Sequence, residues 1–241
     1  MVKSIRARGQ ILATLAAAAL AISVLAAFGP LGASSATSNA ANKMVAQGST
    51  KVYLCTDKVS PSAFKTCAGT AGKTSKSTVT ILSGTVKTSS TVTLVINVAM
   101  ECSTVTNVST KGSSSSTARA GVTVKVEVDG TPVPINPGTS TTGTVTFCTR
   151  DLGLSTKNFS TTQIIKITDS TEYANAFNWV DVTVPQGTNS VTLVASLHAH
   201  ATGTATTPTL TIEAVAGIGG RTMIVTPAHT ANNAQFSTTT L

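Results

Sequence analysis

The feature of this sequence that most constrains its fold is a strict alternation of apolar residues in the middle of the chain. From Val92 to Cys102 every second residue is apolar, and from Val122 to Val128 every second residue is valine. A period of two places successive side chains on opposite faces of an extended chain, whereas a helix needs apolar residues three or four apart. Both segments are therefore predicted to be β-strands with one face on a core.

Turn residues separate further strand-like segments. Asp129-Gly130 predicts a tight turn, and the loop from Pro185 to Asn189 predicts a hairpin between strands at residues 180–184 and 191–197. Because proline donates no backbone hydrogen bond, the segment with Pro132, Pro134 and Pro137 should lie at a sheet edge or in a loop. Other candidate strands are residues 51–56, 78–86, 144–149, 162–168, 209–216 and 221–226.

The composition fits the same class of fold. Thr and Ser account for 71 of the 241 residues and charged residues for 11%, less than half the usual proportion in a soluble domain. Thr and Val favour strands because branching at Cβ stiffens the side chain. About nine or ten short strands predict an all-β chain, a two-sheet antiparallel β-sandwich of jelly-roll-like or Ig-like form, after an N-terminal apolar signal helix.

The first 36 residues have the three-part layout of an export signal. Basic residues at Lys3, Arg6 and Arg8 precede the uncharged segment 11–28, which is followed by Gly29-Pro30 and small residues. We predict a signal peptide at residues 1–36, a flexible tether at 37–50, the β-sandwich at 51–226 and a polar tail at 227–241. Residues 109–118 are predicted to form a flexible loop because they are rich in Ser.

An alternative reading of the leader comes from Arg8-Gly9-Gln10. This tripeptide directly before an apolar run resembles the processing site of type IV pilins and archaeal flagellins. The resemblance implies cleavage after Gly9 and retention of the segment Gln10–Phe28 as the core of a filament. Thr14 stands where bacterial pilins commonly have Glu, and Pro30 ends the run early. A third possibility is an uncleaved leader, the one route by which this chain would contact a membrane.

All four cysteines follow the leader. An even number of cysteines in an exported chain predicts disulfides, and four cysteines allow three pairings. We favour Cys55 with Cys67 and Cys102 with Cys148, because the first pair closes a short loop and the second joins two strands. A zinc site is the rival interpretation, but no two of these cysteines have the separation of a metal knuckle.

Two groups of residues could form binding sites. His198 and His200 lie two apart on a predicted strand and therefore on one face, where a metal ion would need a third ligand such as His229, Asp181 or Glu213. Surface histidines are the simpler interpretation. The second group consists of the aromatic residues Tyr173, Phe177 and Trp179, with the amides of Asn175 and Asn178 nearby. Rings and amides together suit a sugar, although packing in the core is the simpler interpretation here too.

No pattern in the sequence indicates catalysis. There is no nucleophile elbow, no His-Glu-x-x-His and no phosphate-binding Gly loop, and the spacing of the nine acidic residues selects no catalytic pair. The early lysines are accompanied by Tyr53 and Phe64 as the only aromatics, too few for a stacking surface, so no nucleic-acid partner is predicted. We predict no cofactor.

The sequence therefore predicts a non-enzymatic protein, secreted or at the cell surface, with a structural or adhesive role. Its expected partners are a surface polysaccharide or further copies of itself, joined through edge strands. The alternatives are a pilin-like filament subunit and an extracellular carbohydrate-binding domain.

Overall fold

The computed structural model describes residues 44–59, 63–67, 76–135, 142–204 and 210–228. All of them belong to one compact unit, Asn42–Leu241. Among these residues there is no helix long and apolar enough to cross a bilayer. The predicted signal peptide, the segment Gln10–Phe28, His229 and Pro137 lie outside the described residues.

The described residues form eleven strands. They are β1 (Val45–Ser49), β2 (Tyr53–Val59), β3 (Phe64–Cys67), β4 (Lys76–Thr88), β5 (Val92–Lys111), β6 (Ser115–Val128), β7 (Thr131–Pro132), β8 (Val145–Ser155), β9 (Ile164–Val184), β10 (Gly187–Gly203) and β11 (Ile212–Ala228). The first sheet has the order β3-β2-β11-β5-β9, with β1 also paired to β11. The second has the order β4-β10-β6-β7, with β8 also paired to β6. Every pairing is antiparallel, so the predicted all-β sandwich is confirmed.

The core lies between the sheets and contains the alternating residues that the sequence singled out. Every second residue of β5 from Val92 to Cys102 is buried, as is every second residue of β6 from Val122 to Val128. On β10 the buried row includes Leu193, Ala195 and Leu197. Asp129 and Gly130 both have positive φ, and they form the predicted tight turn, here between β6 and β7.

The predicted hairpin at Pro185–Asn189 is wrong, because the two strands belong to different sheets. β9 pairs with β5, whereas β10 pairs with β4 and β6. The chain turns a corner at Gly187, whose φ of 137° is open to glycine. The hydroxyl of Thr88 and the side-chain amide of buried Asn189 both donate to the carbonyl of Pro185, at 2.8 and 3.1 Å. These bonds replace the backbone pairing that a hairpin would have made.

Two segments that were predicted to be unstructured contain strands. Val45–Ser49, within the predicted tether, pairs with β11. The predicted loop at 109–118 is reduced to a turn at residues 112–114, since β5 continues to Lys111 and β6 begins at Ser115. Thr156 stabilises this turn by donating its hydroxyl to the carbonyls of Gly112 and Ser114, at 2.6 and 3.1 Å.

The candidate strands 209–216 and 221–226 are one strand, β11, interrupted by a bulge between Ile218 and Arg221. Along one edge of β11 the partner changes at this bulge, from β2 at residues 212–218 to β1 at residues 221–225. The bulge turns Arg221 into the interior, where it is 4% exposed. Irregular pairing on one strand therefore positions a buried cation.

The guanidinium group of Arg221 bonds backbone carbonyls from three parts of the chain. It donates from Nη1 to Lys51 at 2.7 Å and to Gly219 at 2.9 Å. It donates from Nε and Nη2 to Ile81 at 3.2 and 3.1 Å. Ile81 is the extra residue of a bulge in β4, so its carbonyl is turned away from β10. Tyr53 places its ring 4.9 Å below the guanidinium carbon. Arg221 thereby ties the first sheet to the edge of the second.

Both disulfides of the favoured pairing are present. Cys55 and Cys67 lie directly opposite each other on β2 and β3 and fix that register. Cys102 on β5 and Cys148 on β8 join the two sheets through the core. Disulfides persist in oxidising compartments, so this pair of bridges is compatible with a protein outside the cytosol.

Replacement of Arg221 should destabilise the sandwich strongly. Arg221→Met would leave the buried carbonyl of Ile81 unpaired, at about 1–3 kcal/mol, and would also remove the bonds to the partly solvated carbonyls of Lys51 and Gly219. We therefore expect a loss of about 2–4 kcal/mol in urea unfolding. Arg221→Lys should restore little of it, because one ammonium cannot reproduce the planar fork. The matched control is Arg119→Met, which removes an exposed ion pair with Asp151 and should cost less than about 1 kcal/mol. Equal losses would contradict the role assigned to Arg221.

Candidate functional site

The burial of Trp179, the largest ring of the aromatic group, agrees with the simpler interpretation of that group, which is packing in the core. Trp179 is 0% exposed and donates its indole N–H to the carbonyl of Gly143 at 2.7 Å. Its ring lies parallel to that of Phe147 on β8, with centroids 6.4 Å apart, and Phe177 meets it edge-on at 4.8 Å. Trp179 is thus a core residue that joins β9 to the opposite sheet.

The amides expected to bind sugar hydroxyls are also occupied. Asn178 accepts a hydrogen bond from the Asn97 side chain at 2.6 Å, and Asn175 donates to the carbonyl of Phe147 at 2.5 Å. Of the three aromatic residues, only Tyr173 is exposed, at 40%. A sugar site needs an accessible ring face with free polar groups beside it. In this group Tyr173 is the accessible ring, but the amides of Asn175 and Asn178 are already bonded.

Loss of the Trp179 ring should therefore change stability rather than binding. Trp179→Ala should lower the free energy of unfolding by about 3–5 kcal/mol, the usual cost of deleting a buried aromatic side chain. Tyr173→Ala on the same strand is the control and should cost less than about 1.5 kcal/mol, because the ring is partly solvated. Chemical denaturation followed by far-UV circular dichroism measures both. A Trp179→Ala variant of wild-type stability would show that the ring does not support the core.

His198 and His200 do lie on one face of β10, as predicted, and away from the buried Leu197. His198 is half-buried, and its ring lies over Gly121 on β6. A Cβ at Gly121 would come within 2.5 Å of the ring. Burial lowers the pKa of His198 from its ordinary value, and the charges of Lys76 and Arg119 lower it further. The environment therefore favours the uncharged ring.

The described surroundings of this face supply no third metal ligand. The cationic neighbours Lys76 and Arg119 oppose a second cation as they oppose protonation of His198. Asp181 and Glu213, two of the proposed third ligands, belong to the other sheet. Within the described residues no three His, Cys, Asp or Glu side chains are grouped as metal ligands would be.

The lowered pKa of His198 predicts a stability that falls with acid. A histidine whose pKa is below its unfolded value of 6.5 binds its proton more weakly in the folded protein. Stability is therefore full above that pH and falls as the pH drops through 6.5 toward the folded pKa. NMR titration should place the His198 pKa below 6.5. His198→Gln should flatten the dependence of stability on pH over the histidine range, from about pH 5 to about pH 7.5.

Asp57 is the residue that sequence reasoning missed. It is 0% exposed on β2, and its Oδ2 accepts a hydrogen bond from the backbone N–H of Ala201 at 3.1 Å. The same oxygen lies 3.4 Å from Lys65 Nζ and 3.6 Å from His200 Nδ1. On β10, Ala201 lies beyond His198, which is the last residue of that strand paired with β4, opposite Lys76. Asp57 therefore accepts the N–H of Ala201 where β4 no longer pairs with β10. The isolated acid in a Lys-rich segment gave no sign of this.

Two carboxylates share the outer face of the first sheet. Glu101 and Glu172 line a pocket of about 340 Å³ beside the bulge of β11. Glu101 accepts the backbone N–H of Gly220 at 2.7 Å, and a Cβ at Gly219 would meet its carboxylate at 2.6 Å. Glu101 is therefore engaged in holding the bulge, and Glu172 remains exposed to solvent.

Most strand edges in the described part of the sandwich are protected. β3 has four residues and carries Lys65. β7 has two residues and ends at Pro132. On β4, the bulge at Ile81 is bonded by Arg221, and the side chain of Gln47 from β1 lies against Gly84. β8 is bulged at Phe147, and its carbonyl there is bonded by Asn175. Short length, proline, lysine and bulges are the means by which proteins prevent edge-to-edge pairing.

β9 carries a lysine, Lys166, but it is neither short nor interrupted by proline, and it is the candidate interaction surface. It has 21 residues and pairs with β5 but with no other strand of the described residues, which leaves an edge roughly 70 Å long. It contains no proline, and the one irregularity in its pairing is close to Val184. Ile164, Ile167 and Tyr173 on this strand are about 40% exposed. An edge of this length is a template for another strand.

Comparison with known proteins adds no family. No protein-family model matches the chain, and no curated protein does. Among solved structures, a chain from the structure of infectious bursal disease virus Gx strain aligns with 77% of this chain at 8% identity and a TM-score of 0.13. This chain covers 40% of the viral one. A likeness that weak carries no argument about fold or function.

Proposed function

We propose that the protein is an exported structural β-sandwich that acts outside the cytosol through surface contacts and assembly, without catalysis. The observation that carries this proposal is the contrast among its strand edges: those of β1, β3, β4, β7 and β8 are short, bulged or covered, whereas the 21 residues of β9 have no second partner strand among the described residues. A strand edge offers main-chain hydrogen bonds, which give affinity without a pocket.

The disulfides and the surface support a place outside the cytosol. Cys102–Cys148 ties the sheets together covalently, a constraint that an exported domain gains and a cytosolic protein rarely has. Cross-strand hydroxyl pairs lie on the outer face of the second sheet, such as Thr117 with Thr202 at 2.6 Å. Such a surface stays hydrated with few charges.

The pilin-like alternative differs in what happens to residues 10–28. A filament subunit would keep this segment, and assembly would run through it rather than through β9. The carbohydrate-binding alternative loses its support with the burial of Trp179 and the occupation of the two amides.

Fractionation of native cells with amine cross-linking tests the proposal. We expect the protein in the medium or at the cell surface, with an N-terminus near residue 37 and with cross-linked oligomers. An N-terminus at Gln10 would favour the filament alternative. Unprocessed protein in the cytoplasm with reduced cysteines would reject the proposal. An extracellular protein that never cross-links would reject the assembly role and keep the location.

A further inference from the structure

The exposed edge of β9 carries a charge pattern that identifies its partner. Lys166 and Glu172 lie on the solvent face of the strand with Thr168 and Ser170 between them. Neither Lys166 nor Glu172 forms an ion pair within the described part of the chain. In an antiparallel pair of identical strands Lys166 of one copy can face Glu172 of the other, twice. Parallel pairing in register would set like charges against each other.

We propose that β9 pairs antiparallel with β9 of a second copy of this chain, about a two-fold axis at Asp169. This inference rests on the proposed assembly function and specifies its partner and register. A two-fold contact is closed and self-complementary, so each favourable pair occurs twice. The two first sheets would become one continuous sheet.

This register matches side chains on both faces of the joined strands. On the solvent face it pairs Lys166 with Glu172 and Thr168 with Ser170. The protein already joins strands by such hydroxyl pairs, as between Thr78 and Ser196 at 2.8 Å. On the core-side face the register pairs Ile165 with Tyr173 and Ile167 with Thr171. Aromatic and β-branched pairs of this kind stabilise sheets, and they would cover the exposed Ile167 and Tyr173.

The axis itself brings two copies of Asp169 together, which would be unfavourable for free carboxylates. Each Asp169 is neutralised by Arg150 of its own chain, with Nε 2.7 Å from Oδ2 and Nη2 3.0 Å from Oδ1. The salt bridge comes from β8 and lies on the core side, so it leaves the strand edge open. The axis therefore carries no net charge.

A different occupant of the same edge fits less well. The chain's own residues 1–43 contain four basic residues and no acidic residue. That segment could face Glu172 with a cation, but it has nothing to offer Lys166. A second β9 complements both charges at once.

Sedimentation velocity of the purified protein over a concentration series tests the inference. Lys166→Glu and Glu172→Lys each turn two attractive contacts into repulsive ones. We therefore expect each single variant to need about tenfold more protein than the wild type to form the dimer. The double variant exchanges the charges and should recover wild-type association. Lys87→Glu on β4 makes the same charge change on another exposed strand residue and should leave association unchanged.

Unfolding curves for each variant show whether the fold is intact, and both charges lie on solvent-exposed positions. Recovery in the double variant cannot arise from misfolding, so it would support the register directly. Association that ignores both single changes would overturn the register but leave the assembly function standing. A wild-type protein that stays monomeric at every concentration would overturn the inference, and the cell fractionation would still decide the location.

Discussion

Some backbone groups of the second sheet lie outside its regular hydrogen-bond ladder and need other partners. Side chains of the first sheet supply them. Arg221 on β11 donates to the carbonyl of Ile81 at the bulge of β4. Asp57 on β2 accepts the N–H of Ala201 on β10, and Asn175 on β9 donates to the carbonyl of Phe147 at the bulge of β8. A buried backbone group without a partner costs as much as a lost hydrogen bond, so these three contacts allow the second sheet to be irregular where it meets the first.

This arrangement separates what the sequence could predict from what it could not. The alternation from Val92 to Cys102 identified a core strand because burial of one face depends on local spacing alone. The loop at Pro185–Asn189 looked like a hairpin because turn residues do not state which sheet the next strand joins. The corner between the two sheets is held by bonds from Asn189 to Thr88 and Pro185, and Thr88 is distant in sequence. The bulges at Ile81 and Phe147 depend likewise on Arg221 and Asn175.

For the candidate sites too, local spacing predicted which residues share a face but not which distant residues lie beside them. Spacing alone correctly placed His198 and His200 on one face. It could not show that Lys76 and Arg119 lie beside His198, since those residues arrive on other strands. Trp179 was assigned either to a sugar site or to the core. The segment that decides between them, which holds the carbonyl of Gly143, is distant in sequence.

The role proposed for the edge of β9 also depends on which backbone groups have hydrogen-bond partners. Side chains of Arg221 and Asn175 bond the carbonyls at the bulges of β4 and β8, whereas the outer edge of β9 pairs with no other strand in the described part of the chain. Main-chain hydrogen bonds would supply most of the affinity of a second strand, and they depend little on salt. Lys166 and Glu172 are exposed and screened, so their contribution is to choose between registers. A low charge density makes that choice sharper, because few other ion pairs along the strand could favour a competing register.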